Sequence, residues 1–181
     1  MNTFKTFSVF FIIFFILASS THAHFFFSNP PFRGDDEDTM TQPPCGGSNV
    51  VNTTAITPFP VTEGQVTTDF EDGNGVLVIS YAPTSNDTFV PVSGNVTVNV
   101  PVGIGPKQYV TPVDLSKAGA KSGDQGVLQA FYTDGVNTTW YQCADIKVVD
   151  AKKNGASSIV GTTEVSFFTT ILISFLMALL N

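Results

Sequence analysis

Histidine, cysteine and basic residues are all scarce in this sequence. Among 181 residues there are two His, two Cys and 8 Lys or Arg, against 15 Asp or Glu. So few histidines support no Ser-His-Asp set, and no pair of catalytic acids stands out. The two cysteines lack the spacing motif of a metal site. The acidic balance argues against nucleic acid and anionic lipid surfaces as partners.

One long apolar run lies near the start of the chain. Lys5 precedes it, the run covers residues 7–18, and small residues follow. Thr21 and Ala23 occupy the −3 and −1 positions of a small-x-small cleavage site. This arrangement is typical of a secretory signal peptide. We therefore expect residues 1–23 to be removed and the mature chain to begin at His24.

A second apolar run, residues 165–180, carries no charge and lies near the end of the chain. It is shorter than the roughly 20 residues that a spanning helix needs. Small residues and a polar spacer precede it, as in a glycosylphosphatidylinositol (GPI) attachment signal. We expect residues 151–164 to form a linker with the lipid on Asn154 (alternatives Gly155 and Ser157), and residues 165–181 to be removed. The competing interpretation is a tail-anchored helix.

Cleavage after Ala23 would give His24 a free α-amine beside its imidazole ring. Both nitrogens can chelate one metal ion, and a copper ion can displace the proton of an amine whose ordinary pKa is about 8. Amine and imidazole nitrogens suit Cu(II). The alternative is that the cleavage site precedes a histidine by coincidence.

Residues 24–150 form one predicted domain, because this length supports a single core. Residues 24–154 carry seven Lys or Arg and fourteen Asp or Glu, a net charge of −7, which is compatible with a cation as partner. Four Asn-x-Thr sequons predict N-glycosylation in a secreted protein. Their asparagines are Asn52, Asn86, Asn95 and Asn137.

The two cysteines, Cys45 and Cys143, remain in the mature chain. In an oxidising compartment they predict one disulfide. The bond would close a loop of about a hundred residues, which contributes roughly 4–5 kcal/mol in the chain-entropy model. Two free reactive thiols are the competing interpretation.

The pattern from Thr57 onward indicates an all-β fold. Short strand candidates separated by turn residues predict a single immunoglobulin-like antiparallel β-sandwich. The candidates cover residues 76–81, 89–92, 96–100, 126–132 and 140–149. Residues 24–50 are rich in Pro, Gly and Asp, so we expect an extended N-terminal arm without regular structure. One helical turn is expected at residues 117–121.

The last strand candidate places Asp145 beside the predicted disulfide. Because side chains alternate along a strand, Cys143, Asp145 and Lys147 share one face. A bond from Cys143 to Cys45 would therefore hold the arm beside Asp145. A surface acid or turn cap is the competing interpretation of Asp145.

Several motifs of the mature chain carry a resemblance to a known family. They are His24-Phe25, Asn29-Pro30-Pro31-x-Arg33-Gly34, Asp38-Thr39-Met40-x-Gln42-x-Pro44-Cys45-Gly46-Gly47, Thr57-Pro58-Phe59-Pro60 and Cys143-Ala144-Asp145-Ile146. Together they resemble the fungal copper-acquisition-factor family, whose members are similar in fold to lytic polysaccharide monooxygenases (LPMOs). The resemblance implies a secreted, GPI-anchored, glycosylated β-sandwich that holds one copper ion. It makes His24 the first ligand and Asp145 the aspartate ligand.

The sequence departs from the family at the second copper histidine. His22 lies in the leader, so the mature chain keeps only His24. Where the family has its second histidine, this chain has acidic residues, and Asp69, Glu71 or Asp72 is a possible substitute donor. Such a donor set is harder than two histidines and favours Cu(II) over Cu(I).

Three functional hypotheses follow from these observations. The first is a non-catalytic copper-binding glycoprotein, anchored through a GPI lipid to the outer face of the plasma membrane or held in the cell wall. It would act in copper acquisition or homeostasis, with a copper transporter or a cell-wall glycan as further partners and no nucleic acid. The second is a non-metal surface glycoprotein on a degenerate LPMO-like scaffold. The third, a copper-dependent polysaccharide oxygenase, is least favoured because the two-histidine set is incomplete.

Overall fold

The computed structural model describes residues 25–34, 36–136 and 138–151. These residues form nine strands and one short 3-10 helix, Leu115–Ala118. The strands are β1 (Phe25–Asn29), β2 (Thr57–Pro60), β3 (Gly64–Phe70), β4 (Gly73–Ala82), β5 (Val90–Pro91), β6 (Val96–Val100), β7 (Lys107–Val113), β8 (Gln125–Thr133) and β9 (Thr139–Val149). The predicted all-β class is confirmed. No helix within the described ranges is long and apolar enough to cross a membrane.

The strands form two sheets that enclose the core. One sheet has three strands in the order β1-β3-β7, all antiparallel. The other has the order β2-β9-β8-β4-β5, and β6 also pairs with β4. Its pairs are antiparallel except β2 with β9, which run parallel, so the second sheet is mixed. The sandwich prediction is confirmed, with this one parallel pair added.

The core lies between the sheets and takes alternate side chains from each strand, as the period of two along a strand requires. Burying a large apolar side chain contributes about 1.5–3 kcal/mol, so these positions account for most of the stabilisation. The largest buried apolar side chains include Phe27, Phe70, Leu77, Ile79, Leu115, Leu128, Tyr132 and Ile146. On β9, Ala144, Ile146 and Val148 are inside, as expected.

All five predicted strand segments correspond to observed strands, but β1, β2, β3 and β7 were not among the predictions. The five predicted segments overlap β4, β5, β6, β8 and β9, in that order. The expectation of an irregular arm is wrong for β1, which pairs with β3. Its phenylalanines alternate, with Phe25 and Phe27 buried and Phe26 half-buried. The alternating phenylalanines therefore form a strand, although turn-forming residues follow them directly. The described residues between positions 30 and 56 contain no strand.

The helical turn lies slightly upstream of the predicted residues 117–121. Asp114 begins it, because its side chain accepts a hydrogen bond from the backbone N–H of Ser116. Gly119 ends it with a φ of 74°, a left-handed conformation that favours glycine. The cap residues at the two ends therefore fix a turn of only four residues.

The predicted disulfide between Cys45 and Cys143 is confirmed. The two Cα atoms are 5.0 Å apart, and both residues are buried with Val127 on the outer face of the six-stranded sheet. Arg33 N–H donates to the carbonyl of Cys143, and Tyr141 N–H donates to the carbonyl of Met40. The described part of the segment that contains Arg33, Met40 and Cys45 is thereby held against β9.

Candidate metal centre at the N-terminal end

Phe25, the first described residue, is firmly anchored by aromatic contacts. Its ring stacks on Phe70 with a centroid distance of 4.9 Å, and it meets the ring of Tyr132 at 5.7 Å. Two residues on, Phe27 N–H donates to Oε1 of buried Gln142 at 2.8 Å. His24, the preceding residue in the chain, lies outside the described residues.

Two carboxylates lie close to the Tyr132 hydroxyl. The pKa of Tyr132 is raised to about 12, mainly by burial and also by the negative charges of Asp134 and Asp72, while a hydrogen bond with the backbone of Asn74 opposes the rise. The hydroxyl is buried and has no hydrogen-bond partner of normal geometry among the described residues. This end of the sandwich therefore combines two acids with an unsatisfied oxygen.

Glycines in β4 allow the backbone to approach Tyr132 closely. A Cβ added at Gly73 would lie 2.8 Å from the Tyr132 hydroxyl oxygen, and one at Gly75 would lie 2.9 Å from it. Gly73 also has a φ of 147°, which side-chain-bearing residues rarely adopt. The turn between β3 and β4 consequently brings Asp72 to the end of the core where Phe25 and Tyr132 meet.

The three acids that the sequence offers as substitute donors have different surroundings. Asp69 pairs with Phe26 across the sheet, and its Oδ1 accepts a hydrogen bond from Gln108 Nε2 at 3.0 Å. Glu71 is exposed, and its carbonyl lies against Gly105. Asp72 alone of the three acts on Tyr132 electrostatically. The electrostatic contact with Tyr132 therefore favours Asp72 as the acid beside the aromatic cluster of Phe25, Phe70 and Tyr132, while Asp69 lies opposite the neighbouring Phe26.

Asp145 is held by a different set of partners. Its Oδ2 accepts hydrogen bonds from Arg33 Nε and from the backbone N–H of Asn52, both at 2.8 Å. Its Oδ1 accepts a bond from Arg33 Nη2 at 2.6 Å. Arg33 Nη1 also donates to Ser85 Oγ and to the carbonyl of Asn49. Asp145 thus connects Arg33 and Asn52 to β9, and Arg33 extends these contacts to Asn49 and Ser85.

Strand geometry separates Asp145 from the cluster around Phe25. Trp140 meets Tyr132 with a centroid distance of 5.4 Å and so marks that cluster on β9. Asp145 is five residues further along, and at about 3.3 Å per residue this is about 16 Å. Asp145 also lies on the outer face, whereas Gln142, which binds Phe27, lies on the inner one. The structure does not bring Asp145 and Phe25 together, and a metal role for Asp145 stays a prediction of the sequence.

Several predicted positions lie outside the described residues. These are the leader, His24, Asn137, the attachment candidates Asn154, Gly155 and Ser157, and the tail at residues 165–181. Across residues 25–34, 36–136 and 138–151, no three side chains of His, Cys, Asp or Glu are grouped to hold a metal ion.

The three described sequons differ in exposure. Asn86 and Asn95 are exposed, and so are the threonines that complete their sequons. Asn52 is half-buried, and its Oδ1 accepts hydrogen bonds from the backbone and hydroxyl of Thr54. N-glycosylation at all four sites stays a prediction.

Three residues of this region were not predicted from the sequence. Tyr132 and Asp134 come from the end of β8, and their proximity to Asp72 depends on the pairing of β8 with β4. Arg33 stands in the arm motif, but its partner is 112 residues away. One feature of the sequence indicates a role for Arg33, namely that it is the single cation within a Pro- and Gly-rich motif.

Comparison with protein families agrees with the fold and the motifs. The family model described as "Copper acquisition factor BIM1-like" matches residues 22–163. The chain belongs to this family. The match includes His24 and every described strand. A search of curated proteins finds no match to the chain. The resemblance inferred from the arm and Cys-Ala-Asp-Ile motifs is confirmed.

Proposed function

We propose that this protein binds one copper ion as cargo at its mature N-terminus, on the outer surface of the cell. Membership of a copper acquisition factor family supports a copper-related role. The observation that carries the proposal is the anchoring of Phe25 beside Phe70 and Tyr132. That anchoring limits the reach of His24 to the end of the sandwich where Asp72 and Asp134 act on Tyr132.

The proposed donors fit copper by their chemistry. His24 supplies its amine and imidazole nitrogens, and Asp72 supplies a carboxylate oxygen. Asp134 is the other acid whose charge acts on Tyr132, although its Oδ1 accepts hydrogen bonds from the Val136 and Thr138 backbone N–H groups. The buried Tyr132 hydroxyl offers one more oxygen. Nitrogen and oxygen donors of this kind suit Cu(II) better than Cu(I).

We assign Asp145 to the scaffold in this proposal. Its two oxygens already accept three hydrogen bonds, two of them from a guanidinium group. A carboxylate paired in this way would have to give up Arg33 to bind a metal, and leaving a buried cation unpaired is strongly destabilising. The carboxylate donor is therefore sought at Asp72.

A role in acquisition or homeostasis, rather than oxidation, follows from the donor set. The mature chain supplies one histidine, so copper here would have one imidazole ligand, where the family has two. A GPI lipid at Asn154, Gly155 or Ser157 would keep the protein at the outer face of the membrane or deliver it to the cell wall. A copper transporter or a cell-wall glycan is the further partner that fits this location.

Copper titration of the secreted protein tests the proposal. A host that cleaves after Ala23 supplies the parent, and His24→Ala keeps a free α-amine but removes the imidazole ring. Calorimetry should find one tight Cu(II) site in the parent and its loss in the variant. Equal affinity of the two proteins would mean that no N-terminal site exists. The non-metal glycoprotein hypothesis would then be preferred.

A further inference from the structure

A groove opens at the other end of β3 from Phe70. It lies between the β5–β6 connection and the end of β7, and its volume is about 440 Å³. Such a volume is within the range of about 300–1,000 Å³ that small-ligand sites occupy. The apolar side chains in its wall are Val92, Val96, Pro112 and Val113. Glu63, Asp114 and Lys117 add charged groups at its edge.

One of the four predicted glycosylation sites is part of this groove. Asn95 lines it, and so does Val96, the middle residue of the same sequon. Asn95 and Thr97 are both exposed, so the sequon is accessible on the folded chain. A group attached to Asn95 would be held next to the groove, and tethering of this kind gives a high effective concentration.

We propose that the first N-acetylglucosamine residues of an N-linked glycan on Asn95 pack into this groove. The amide nitrogen of Asn95 would bond to C1 of the sugar and lose a proton, displacing the diphosphate of a lipid-linked oligosaccharide donor. The proposal rests on the secretory part of the proposed function, because that is where this transfer occurs. It does not depend on copper.

The chemistry of the groove matches that of the sugar. A pyranose ring has an apolar C–H face and a polar edge of hydroxyl and acetamido groups. The C–H face can lie against the exposed Pro112 and the half-buried Val96, where it removes apolar surface from water, with the buried Val113 beneath them. The carboxylates of Glu63 and Asp114 can accept hydrogen bonds from the polar edge, and the ammonium group of Lys117 can donate them.

Asn86 provides a matched control site within the same protein. Its sequon, Asn86-Asp87-Thr88, is also exposed and lies on the connection between β4 and β5. None of its three residues lines the groove. A glycan on Asn86 should therefore extend into solvent, and its removal reports the general effect of losing one glycan.

Thermal unfolding and glycopeptide mass spectrometry of the full chain from a secretory host test the proposal. Asn95→Gln should lower Tm by about 4 °C, the size of shift that a modest loss of contacts produces in a domain of this length. Asn86→Gln should leave Tm unchanged. Val96→Thr should lower Tm both in the parent and in the Asn95→Gln protein, because Val96 also packs against the core. The decrease should be larger while Asn95 carries its glycan, and this non-additivity identifies contact between the two. The control for Val96→Thr is Val90→Thr, because Val90 lies on β5 and does not line the groove.

Nuclear magnetic resonance adds a readout that does not depend on stability. Acetyl methyl protons of the glycan should show contacts with the methyl groups of Val96 and Val113. An unoccupied Asn95, equal effects of Asn95→Gln and Asn86→Gln, or absence of these contacts would overturn the proposal. Failure of secretion would appear separately, as a chain that keeps residues 1–23 and carries no glycan.

Discussion

The Arg33 guanidinium clamps the Asp145 carboxylate through both of its oxygens, and the two side chains are only 1% and 4% exposed. This pair stands next to the Cys45–Cys143 disulfide, since Arg33 N–H donates to the carbonyl of Cys143. A covalent bond and a buried ion pair therefore fix the same arm to β9. The arm begins directly after β1, so the bonds that hold the arm to β9 also hold the end of β1 in place.

Asp145→Ala is expected to destabilise the fold by about 3–5 kcal/mol, because it leaves the buried guanidinium without its partner. Urea unfolding of the secreted protein measures this loss. Asp87→Ala, which removes an exposed acid from the β4–β5 connection, is the control and should change stability little. A parental midpoint for Asp145→Ala would contradict a scaffold role.

Removal of the disulfide is expected to have an effect of similar size. The cysteines are 98 residues apart, and closing a loop of about a hundred residues contributes about 4.7 kcal/mol in the chain-entropy model. The double variant Cys45→Ala with Cys143→Ala should unfold at a clearly lower urea concentration. Peptide mapping without reduction should find the linked pair in the parent. Alkylation of both thiols in the native parent would contradict the bond.

Much of the six-stranded sheet could be predicted because its strands are strongly apolar. β4, β8 and β9 each contain runs of buried side chains, and turn residues separate them. The strands β3 and β7 escaped prediction because their inward positions include Thr68 and Thr111, both almost fully buried. Val110 points outward and is 53% exposed, so an apolar residue stands where a polar one is usual. Tertiary packing overrides local pattern at such positions.

The candidate site was only partly predictable for a similar reason. Asp72 could be found by its place in the acidic stretch after β3. Tyr132 and Asp134 could not, because they meet Asp72 only through strand pairing between distant segments. The alternation of β9 correctly placed Asp145 beside the disulfide, but it could not reveal Arg33 as the partner.

The raised pKa of Tyr132 predicts loss of stability in alkali. The pKa is about 12 in the folded chain, against an ordinary value of 10.0, mainly because of burial. The neutral phenol is therefore favoured by folding, and its contribution is complete below pH 10 and lost as the pH rises towards 12. Tyr132→Phe should reduce this dependence in urea unfolding at several pH values. Tyr81, whose pKa burial also raises, should account for a separate part.

Processing at both termini should be visible in the intact mass of the surface protein. We expect the chain to start at His24 and to end in a lipid at Asn154, with Gly155 and Ser157 as alternatives. Phospholipase treatment of cells should release it. Retention of residues 165–181 in the surface form would rule out the lipid anchor and support the tail-anchored alternative.

The choice of carboxylate donor distinguishes the structure-based copper site from the one that the family resemblance implies. Asp72→Asn should weaken Cu(II) binding by roughly tenfold or more, because it removes a charged oxygen donor worth about 1.4 kcal/mol or more. Asp69→Asn is the matched control, since Asp69 already accepts a hydrogen bond from Gln108. Spin-resonance spectra of the parent should show fewer coupled nitrogens than a centre with two histidines. If Asp145→Asn weakens binding while the protein is still folded, and Asp72→Asn does not, Asp145 is the ligand and Arg33 must release it. If all three variants bind Cu(II) as tightly as the parent, none of Asp69, Asp72 and Asp145 is a copper ligand.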